Sequence, residues 1–292
     1  MRTKPAESPS PVTGVSDPPR RWPVWVRALV VPCVLMFGNY VLYLPLALVL
    51  SPWLNAAPGW VQGVVFVILG CVVAATAIVF VVILMRYVDR RPVRDAGLFF
   101  SAGSIPAFLL GVLASVVVIV PAGFALESAG LLREVQPMQG SAGAIVLSAV
   151  VAGLIVQGFP EELVWRGYLM QTVDWRPWPI ALYSSAVFAA LHILSSGGQQ
   201  GFGERLLYVV QAFAFAFLAA ALYRATGQLW AAVGVHAGLH FTHAWTESVG
   251  IGSGPNAWLV ETAGYLILGV AVMIWCDRTG RNVPRRRHSL TT

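Results

Sequence analysis

The chain has 292 residues, of which 57% are hydrophobic and 11% are charged. Ordinary globular domains carry about 25% charged residues, so this chain lacks the polar side chains that a soluble surface requires. Its net charge of +6 does not indicate a nucleic-acid-binding protein, because the basic residues stand between apolar segments rather than along one basic face. The composition therefore predicts an integral membrane protein with no nucleic-acid partner.

Apolar runs of about 20 residues predict membrane-spanning helices, because an α-helix of that length crosses a hydrocarbon layer of roughly 30 Å. Residues 1–21 are rich in Pro and Ser and are predicted to form a disordered cytoplasmic tail. The eight predicted spans are 25–50, 61–85, 105–125, 142–173, 179–195, 206–223, 229–245 and 257–276. The sequence thus predicts an all-α fold, a polytopic transmembrane helix bundle with a single transmembrane domain at 22–278 and a basic cytoplasmic tail at 279–292.

The positions of Lys and Arg predict the orientation of the bundle, because these residues are retained on the cytoplasmic side of short loops. With eight spans and both termini in the cytoplasm, all but two of the 19 basic residues fall inside, and the exceptions are Arg133 and Arg205. The predicted location is the cell membrane, as a multi-pass protein. The basic segment Arg86 to Asp95 can be interpreted as a lipid-binding patch, but a role in setting topology is the preferred interpretation.

Ionisable side chains inside membrane spans are energetically costly and commonly mark a functional site. The fourth predicted span carries Glu161, Glu162 and Arg166. Glu162 and Arg166 are four residues apart, so they share a helix face and are predicted to neutralise each other. Glu161 is turned away by about 100° and is predicted to remain available for chemistry.

Glu161 and His192 are predicted to meet across a helical hairpin. The turn between the fourth and fifth spans is centred on Arg176 and Pro177, and counting 15 residues back or on from this centre reaches Glu161 and His192. Equal distances from the turn mean equal depth, so these two side chains are expected to face each other inside the membrane. A carboxylate and an imidazole placed together can activate one shared water by general base catalysis.

The seventh predicted span carries three histidines. His236, His240 and His243 follow i, i+4, i+7 spacing and so form one stripe on a helix. Their N–H groups could stabilise the oxyanion that develops in acyl transfer. His243, near the helix end, is explained equally well as a hydrogen-bond partner between helices. Glu261, in the eighth span, is assigned a structural role close to the outer interface.

The three clusters resemble the CPBP family of intramembrane proteases, also called the CAAX-protease and bacteriocin-processing family. The family motifs are EExxxR, FxxxH and HxxxN. They are matched here, within 142–245, by Glu161, Glu162 and Arg166, by Phe188 and His192, and by His236 and His240. The third motif departs from the family pattern, since His240 stands where the family has Asn.

The resemblance implies that Glu161 activates water with His192 as its partner, while His236 and His240 form the oxyanion site. Glu162 and Arg166 would hold their helix, and Phe188 would pack against His192 and orient it. At the third motif, His240 either donates a hydrogen bond in place of the amide or leaves the oxyanion site weakened. The implied reaction is hydrolysis of a peptide bond in a membrane-associated protein or peptide.

No cofactor is expected to be required, because Glu161 with His192 suits a metal-free mechanism. Zinc is the alternative: His192, His236 and His240 could supply three ligands and leave an open position for water.

Two other functions compete with proteolysis. One is a catalytically silent membrane scaffold that binds a partner protein through the same fold. The other is a proton-coupled transporter, which is less favoured because the sequence shows no inverted repeat.

Overall fold

The computed structural model describes residues 22–134 and 142–281 of the chain. Within these residues the protein is an all-helical bundle without strands, so the predicted fold class is confirmed. The predicted tail at 1–21 lies outside the described residues, and so does 282–292, which is most of the predicted basic tail.

Eight helical segments coincide with the eight predicted apolar runs. They are α1 (24–56), α2 (Gly59–Val88), α3 (Ser104–Ser128), α4 (142–172), α5 (Pro177–Leu194), α6 (Phe202–Thr226), α7 (Leu229–Ser248) and α8 (Pro255–Arg278). Within α2 to α6 and in α8 there are helices long and apolar enough to cross a membrane, whereas α1 contains two shorter apolar helices. The chain is therefore a multi-pass membrane protein, and the number of eight crossings stays a prediction.

The α4 helix is irregular around its glutamates. Two π-helical stretches, Val151–Gly158 and Leu163–Leu169, flank the short α-helical segment Phe159–Glu162. Pro160 follows the first of these stretches, and a proline inside a helix has no N–H to donate and a ring that collides with the preceding turn. A π-helical stretch relieves that collision, and such stretches are frequent at functional sites. Glu161 thus stands on a short α-helical segment between two widened stretches of the same helix.

The α6 helix lies at the centre of the bundle. In an apolar stretch of 18 residues within α6, 67% of the residues are buried inside the protein. The corresponding fraction is 33% in each of the five other candidate membrane-spanning helices. The buried part of α6 includes the alanine-rich run 218–221. Small side chains allow neighbouring helices to approach closely, which is how helices associate in a membrane where lipid is as apolar as the protein interior.

The α3 and α7 helices are in direct backbone contact through glycines. A Cβ atom added to Gly234 would lie 2.1 Å from the carbonyl oxygen of Phe108, and one added to Gly111 would lie 2.2 Å from that of Ala231. These distances leave no room for any side chain, so the crossing requires glycine on both helices. The contact fixes the position of α7, which carries the three histidines.

One end of the bundle is held by buried or partly buried ion pairs. Arg27 in α1 binds Asp89 at 2.5 Å and donates to the carbonyl oxygen of Thr172 at 2.6 Å. Arg224 at the end of α6 binds Asp277 in α8 at 2.7 Å. The first and last described helices therefore begin and end on the same side, where the sequence predicts the cytoplasm.

The opposite end of the bundle contains the two arginines that the sequence predicts on the non-cytoplasmic side. Arg133 binds Glu204 at 2.7 Å, and its backbone N–H donates to the carbonyl oxygen of Ser253 at 2.9 Å. Arg205 donates to the carbonyl oxygen of Ile193 at 2.7 Å. Arg133 thus joins the segment after α3 to α6 and to the segment before α8, and Arg205 joins the start of α6 to the end of α5.

Candidate active site

A buried ion pair on α4 anchors the site. Arg166 Nη1 lies 3.1 Å from Oε1 and 3.0 Å from Oε2 of Glu162, and both side chains are completely buried. Arg166 Nη2 donates to the carbonyl oxygen of Ala216 in α6 at 2.5 Å, and its guanidinium lies over the ring of Phe188 in α5. The i, i+4 pair that the sequence predicts is therefore present, and it also connects α4 to α5 and α6.

Glu162 has a second partner that the sequence did not indicate. Its Oε1 atom lies 3.1 Å from Nδ1 of His236 in α7. A carboxylate paired with an arginine can only accept hydrogen bonds, so the shared proton resides on Nδ1 of the imidazole. When His236 is neutral, its Nε2 atom therefore carries a lone pair and acts as an acceptor. Glu162 thus orients His236 as well as pairing with Arg166.

His236 lies between the two glutamates. Its Nε2 atom is 4.0 Å from Oε2 of Glu161, on the side away from Glu162, and its side chain is 2% exposed. The ring packs edge-on against Phe215 of α6, with centroids 5.1 Å apart, and more loosely against Phe188. Aromatic packing on the ring and a carboxylate on Nδ1 together hold this imidazole in one orientation.

His192 is oriented by the residue one turn before it. His192 Nδ1 donates to the carbonyl oxygen of Phe188 at 3.0 Å, and the two rings lie 4.4 Å apart at 36°. The proton on Nδ1 leaves Nε2 as the acceptor in the neutral imidazole. Phe188 thus contacts His192 through both its ring and its backbone, whereas the sequence suggested ring packing alone.

Glu161 and His192 line the same cavity, which has a volume of about 480 Å³. The side chain of Glu161 is 18% exposed, in contrast to the complete burial of its neighbour Glu162. Gln157, Tyr208 and His240 line this cavity too. Four residues of α1 close one side of it: Pro32, Leu35, Tyr43 and Leu44. The fold therefore brings the two predicted hairpin residues to one cavity.

A second cavity, of about 250 Å³, shares part of this lining. His192 and His240 border both cavities, and the smaller one is bordered in addition by His236, His243 and Glu247. The imidazoles of the site therefore stand between a larger cavity beside α1 and a smaller, more polar one beside the end of α7.

The three histidines of α7 divide into two groups. The His240 ring stacks on His236, with centroids 5.5 Å apart and planes at 17°. His240 packs tightly against α4, since a Cβ atom added to Gly153 would lie 2.5 Å from the Cβ of His240. His243 instead points to α8, where its Nε2 lies 3.4 Å from Oε2 of the buried Glu261. This contact agrees with the alternative interpretation of His243 as a partner between helices.

The site residues do not fit the zinc alternative. Among the residues that the structure describes, no three His, Cys, Asp or Glu side chains are grouped so that they could hold a metal ion. The rings of His236 and His240 are nearly parallel and stacked, so lone pairs in their separate planes do not converge on one point. His192, His236 and His240 are therefore not arranged as a ligand set.

A comparison with protein families identifies the segment that carries this site. Residues 142–242 match the family described as type II CAAX prenyl endopeptidase Rce1-like. The match spans all three motifs and confirms the resemblance to the CPBP family. The family is a protease family, which supports protease activity for this chain. A search of curated proteins found no match.

Proposed function

We propose that this chain, whose core matches a family of CAAX endopeptidases, is an intramembrane endopeptidase that hydrolyses a peptide bond of a membrane-associated protein or peptide. The observation that carries the proposal is the cavity shared by Glu161 and His192 inside a helical membrane bundle. Its apolar wall, formed by α1, suits an apolar segment of the substrate beside the scissile bond.

The two adjacent glutamates have different roles in this proposal. Glu162 is neutralised by Arg166 and fully buried, so it positions other groups rather than contacting substrate. Glu161 lines the cavity and has no arginine paired with it among the described residues, and His236 Nε2 lies 4.0 Å from its Oε2 atom. Glu161 is therefore the general base.

The attacking water donates two hydrogen bonds, one from each of its O–H groups. The Glu161 carboxylate accepts one of these hydrogen bonds. His192 accepts the other through Nε2, because its Nδ1 is engaged with the carbonyl oxygen of Phe188. This arrangement leaves a lone pair of the water oxygen free to attack the carbonyl carbon of the substrate. As the new C–O bond forms, the water proton transfers to Glu161.

The remaining histidines act on the tetrahedral intermediate. His240 donates an N–H hydrogen bond to the oxyanion. Neutral His236 presents a lone pair at Nε2, so it becomes a donor only after it takes up the proton that Glu161 removed from water. The intermediate collapses when the C–N bond breaks and that proton passes to the leaving amine, which gives one carboxyl and one amine product.

The experiment compares Glu161→Gln with the unmodified chain in membranes of the producing cells. Shortened membrane proteins present with the unmodified chain are expected to disappear with Glu161→Gln, since loss of a general base costs about 10²- to 10⁴-fold in rate. Glu127→Gln is the matched control, because Glu127 is an exposed glutamate outside both cavities. Identical sets of shortened proteins with and without the Glu161 carboxylate would refute the proposal.

The second candidate function is a catalytically silent scaffold with the same fold. It is favoured by one observation, the replacement of the family's Asn by His240 at the oxyanion position. The same variant separates the two functions. A scaffold keeps its cellular phenotype when Glu161 becomes Gln, whereas a protease loses it.

A further inference from the structure

A third cavity lies at the end of the bundle where the sequence predicts the cytoplasm. It has a volume of about 740 Å³ and shares no lining residue with the two cavities of the candidate active site. Its walls come from the segment that follows α2, the end of α6, the turn into α7 and the residues that follow α8. Its charged lining residues are Arg91, Arg94, Asp95, Arg224 and Arg281.

Positive charge prevails in this cavity. Four arginines line it, and the carboxylates that pair with them are Asp95 beside Arg91 and Asp277 beside Arg224. Arg91 is anchored further by donating to the carbonyl oxygen of Gln171 at 2.5 Å. Two of the four arginines are thus held in fixed positions by partners from the protein itself.

The other two arginines have donors to spare. The exposed side chain of Arg94 makes no hydrogen bond or ion pair with any residue that the structure describes. Within residues 22–134 and 142–281, Arg281 makes one long hydrogen bond, of 3.3 Å, to the carbonyl oxygen of Ala225, and its guanidinium lies over the ring of Trp275. A guanidinium carries five N–H donors, so most of theirs are available to a ligand.

The cavity also offers an acceptor. The Oε1 atom of Gln228 is buried at its wall and accepts no hydrogen bond from the described part of the chain. A buried polar atom without a partner is unfavourable, so a ligand hydroxyl that donated to it would be bound favourably. The site therefore combines several donors for an anion with one acceptor for a hydroxyl group.

We propose that this cavity binds the head group of an anionic phospholipid, with the phosphate at Arg94 and Arg281 and a head-group hydroxyl at Gln228. Arginine is suited to phosphate because its planar fork donates two parallel hydrogen bonds to the oxygens. A lipid is the favoured source of the phosphate, because the cavity lies where helices α6 and α8 end and so at the level of lipid head groups. This inference does not depend on the proposed proteolytic function.

The test uses the full-length protein, purified in a non-ionic detergent and titrated with phosphatidylglycerol or phosphatidylcholine while bound lipid is counted by native mass spectrometry. A basic residue near an anionic lipid contributes roughly fivefold in affinity. The double variant Arg94→Gln with Arg281→Gln is therefore expected to weaken phosphatidylglycerol binding about 25-fold. Arg86→Gln is the matched control, since Arg86 is an exposed arginine of the same basic segment outside the cavity, and it is expected to have less than about a twofold effect.

The outcomes separate the alternatives. If glycerol 3-phosphate displaces phosphatidylglycerol at similar concentrations, the cavity binds phosphate, but its ligand is a soluble molecule, and the assignment to a lipid is wrong. Equal binding of phosphatidylcholine, or an equal loss in Arg86→Gln, would overturn the proposal, because the attraction would then belong to the whole basic surface. If the double variant does not fold, Arg94→Gln alone decides, since its side chain has no described partner to lose. Glu161→Gln is expected to retain full lipid affinity, which keeps this test separate from that of the protease.

Discussion

The buried pair of Glu162 and Arg166 allows a quantitative test of how the site is built. In Arg166→Met, the Glu162 carboxylate loses both contacts of about 3 Å and stays completely buried, with His236 as its remaining partner. In Glu162→Gln, the Arg166 guanidinium stays charged and buried, with the Ala216 carbonyl oxygen and the Phe188 ring around it. Removing one partner of a buried ion pair costs about 3–5 kcal/mol. Each single variant is expected to lose that much of its free energy of unfolding.

The double variant Glu162→Gln with Arg166→Met should cost less than the two single variants together. It leaves no buried charge, and the glutamine still presents an acceptor to His236 Nδ1. Replacing a buried ion pair by neutral side chains of similar volume is often close to neutral in stability. A double-mutant cycle is therefore expected to give a coupling energy of at least about 3 kcal/mol.

The assay is unfolding in mixed micelles titrated with sodium dodecyl sulfate, followed by tryptophan fluorescence. Arg133 and Glu204 form the matched control, because they are the same residue types 2.7 Å apart with 36% and 20% of their side chains exposed. A pair exposed to that degree is expected to couple by no more than about 1 kcal/mol. Strictly additive losses at Glu162 and Arg166, no larger than those at the control pair, would refute the assignment of a buried ion pair that holds α4 against its neighbours.

Three further predictions follow from the packing and the geometry of the site. Gly234→Ala is expected to destabilise the protein by about 1–3 kcal/mol in the same assay, because its Cβ would meet the Phe108 carbonyl oxygen at 2.1 Å. Gly203→Ala, where a Cβ meets nothing within 4 Å, should be neutral or slightly stabilising, and equal losses at both glycines would contradict the close contact. His240→Ala is expected to lower the cleavage rate about 10²- to 10³-fold, because it removes a hydrogen-bond donor to the oxyanion. His240→Asn keeps a donor and should retain most of the rate. Equal cleavage rates in the two variants would refute the assignment of His240 as an oxyanion donor. Cleavage by the purified protein is expected to persist after dialysis against a zinc chelator, and activity lost to the chelator and restored by one equivalent of zinc would show that a metal is required.

The sequence alone predicted the helical architecture well. A chain segment inside a bilayer must satisfy its own backbone hydrogen bonds, so an apolar run of spanning length becomes a helix whatever its neighbours are. The Glu162–Arg166 pair was predictable for a similar reason, since residues four apart in one helix share a face. Glu161 and His192 were predictable as cavity neighbours because a short turn fixes the relative depth of two hairpin arms.

Other contacts had no local signal. The hydrogen bond between His236 and Glu162 joins residues 74 positions apart, and it determines that Nδ1 carries the proton and Nε2 the lone pair. The sequence treated both His236 and His240 as oxyanion donors, yet a neutral His236 with this partner presents an acceptor. Likewise, nothing in the spacing of His243 indicated that it would turn to Glu261 in the last helix. These roles depend on which helices are neighbours.

For this protein, the order of amino acids by itself determined the helices, the side of the bundle on which most arginines gather and the spacing of the reactive side chains along each helix. Each of these follows from interactions within a segment or between a segment and the lipid. Only the tertiary structure decided which imidazole nitrogen faces each glutamate. It also decided which arginines line the third cavity: Arg86 lies outside it, whereas the cavity is lined by Arg91, Arg94, Arg224 and Arg281. Those outcomes depend on how helices cross, and a crossing is set by close contacts such as the one at Gly234, which no periodicity in the sequence specifies.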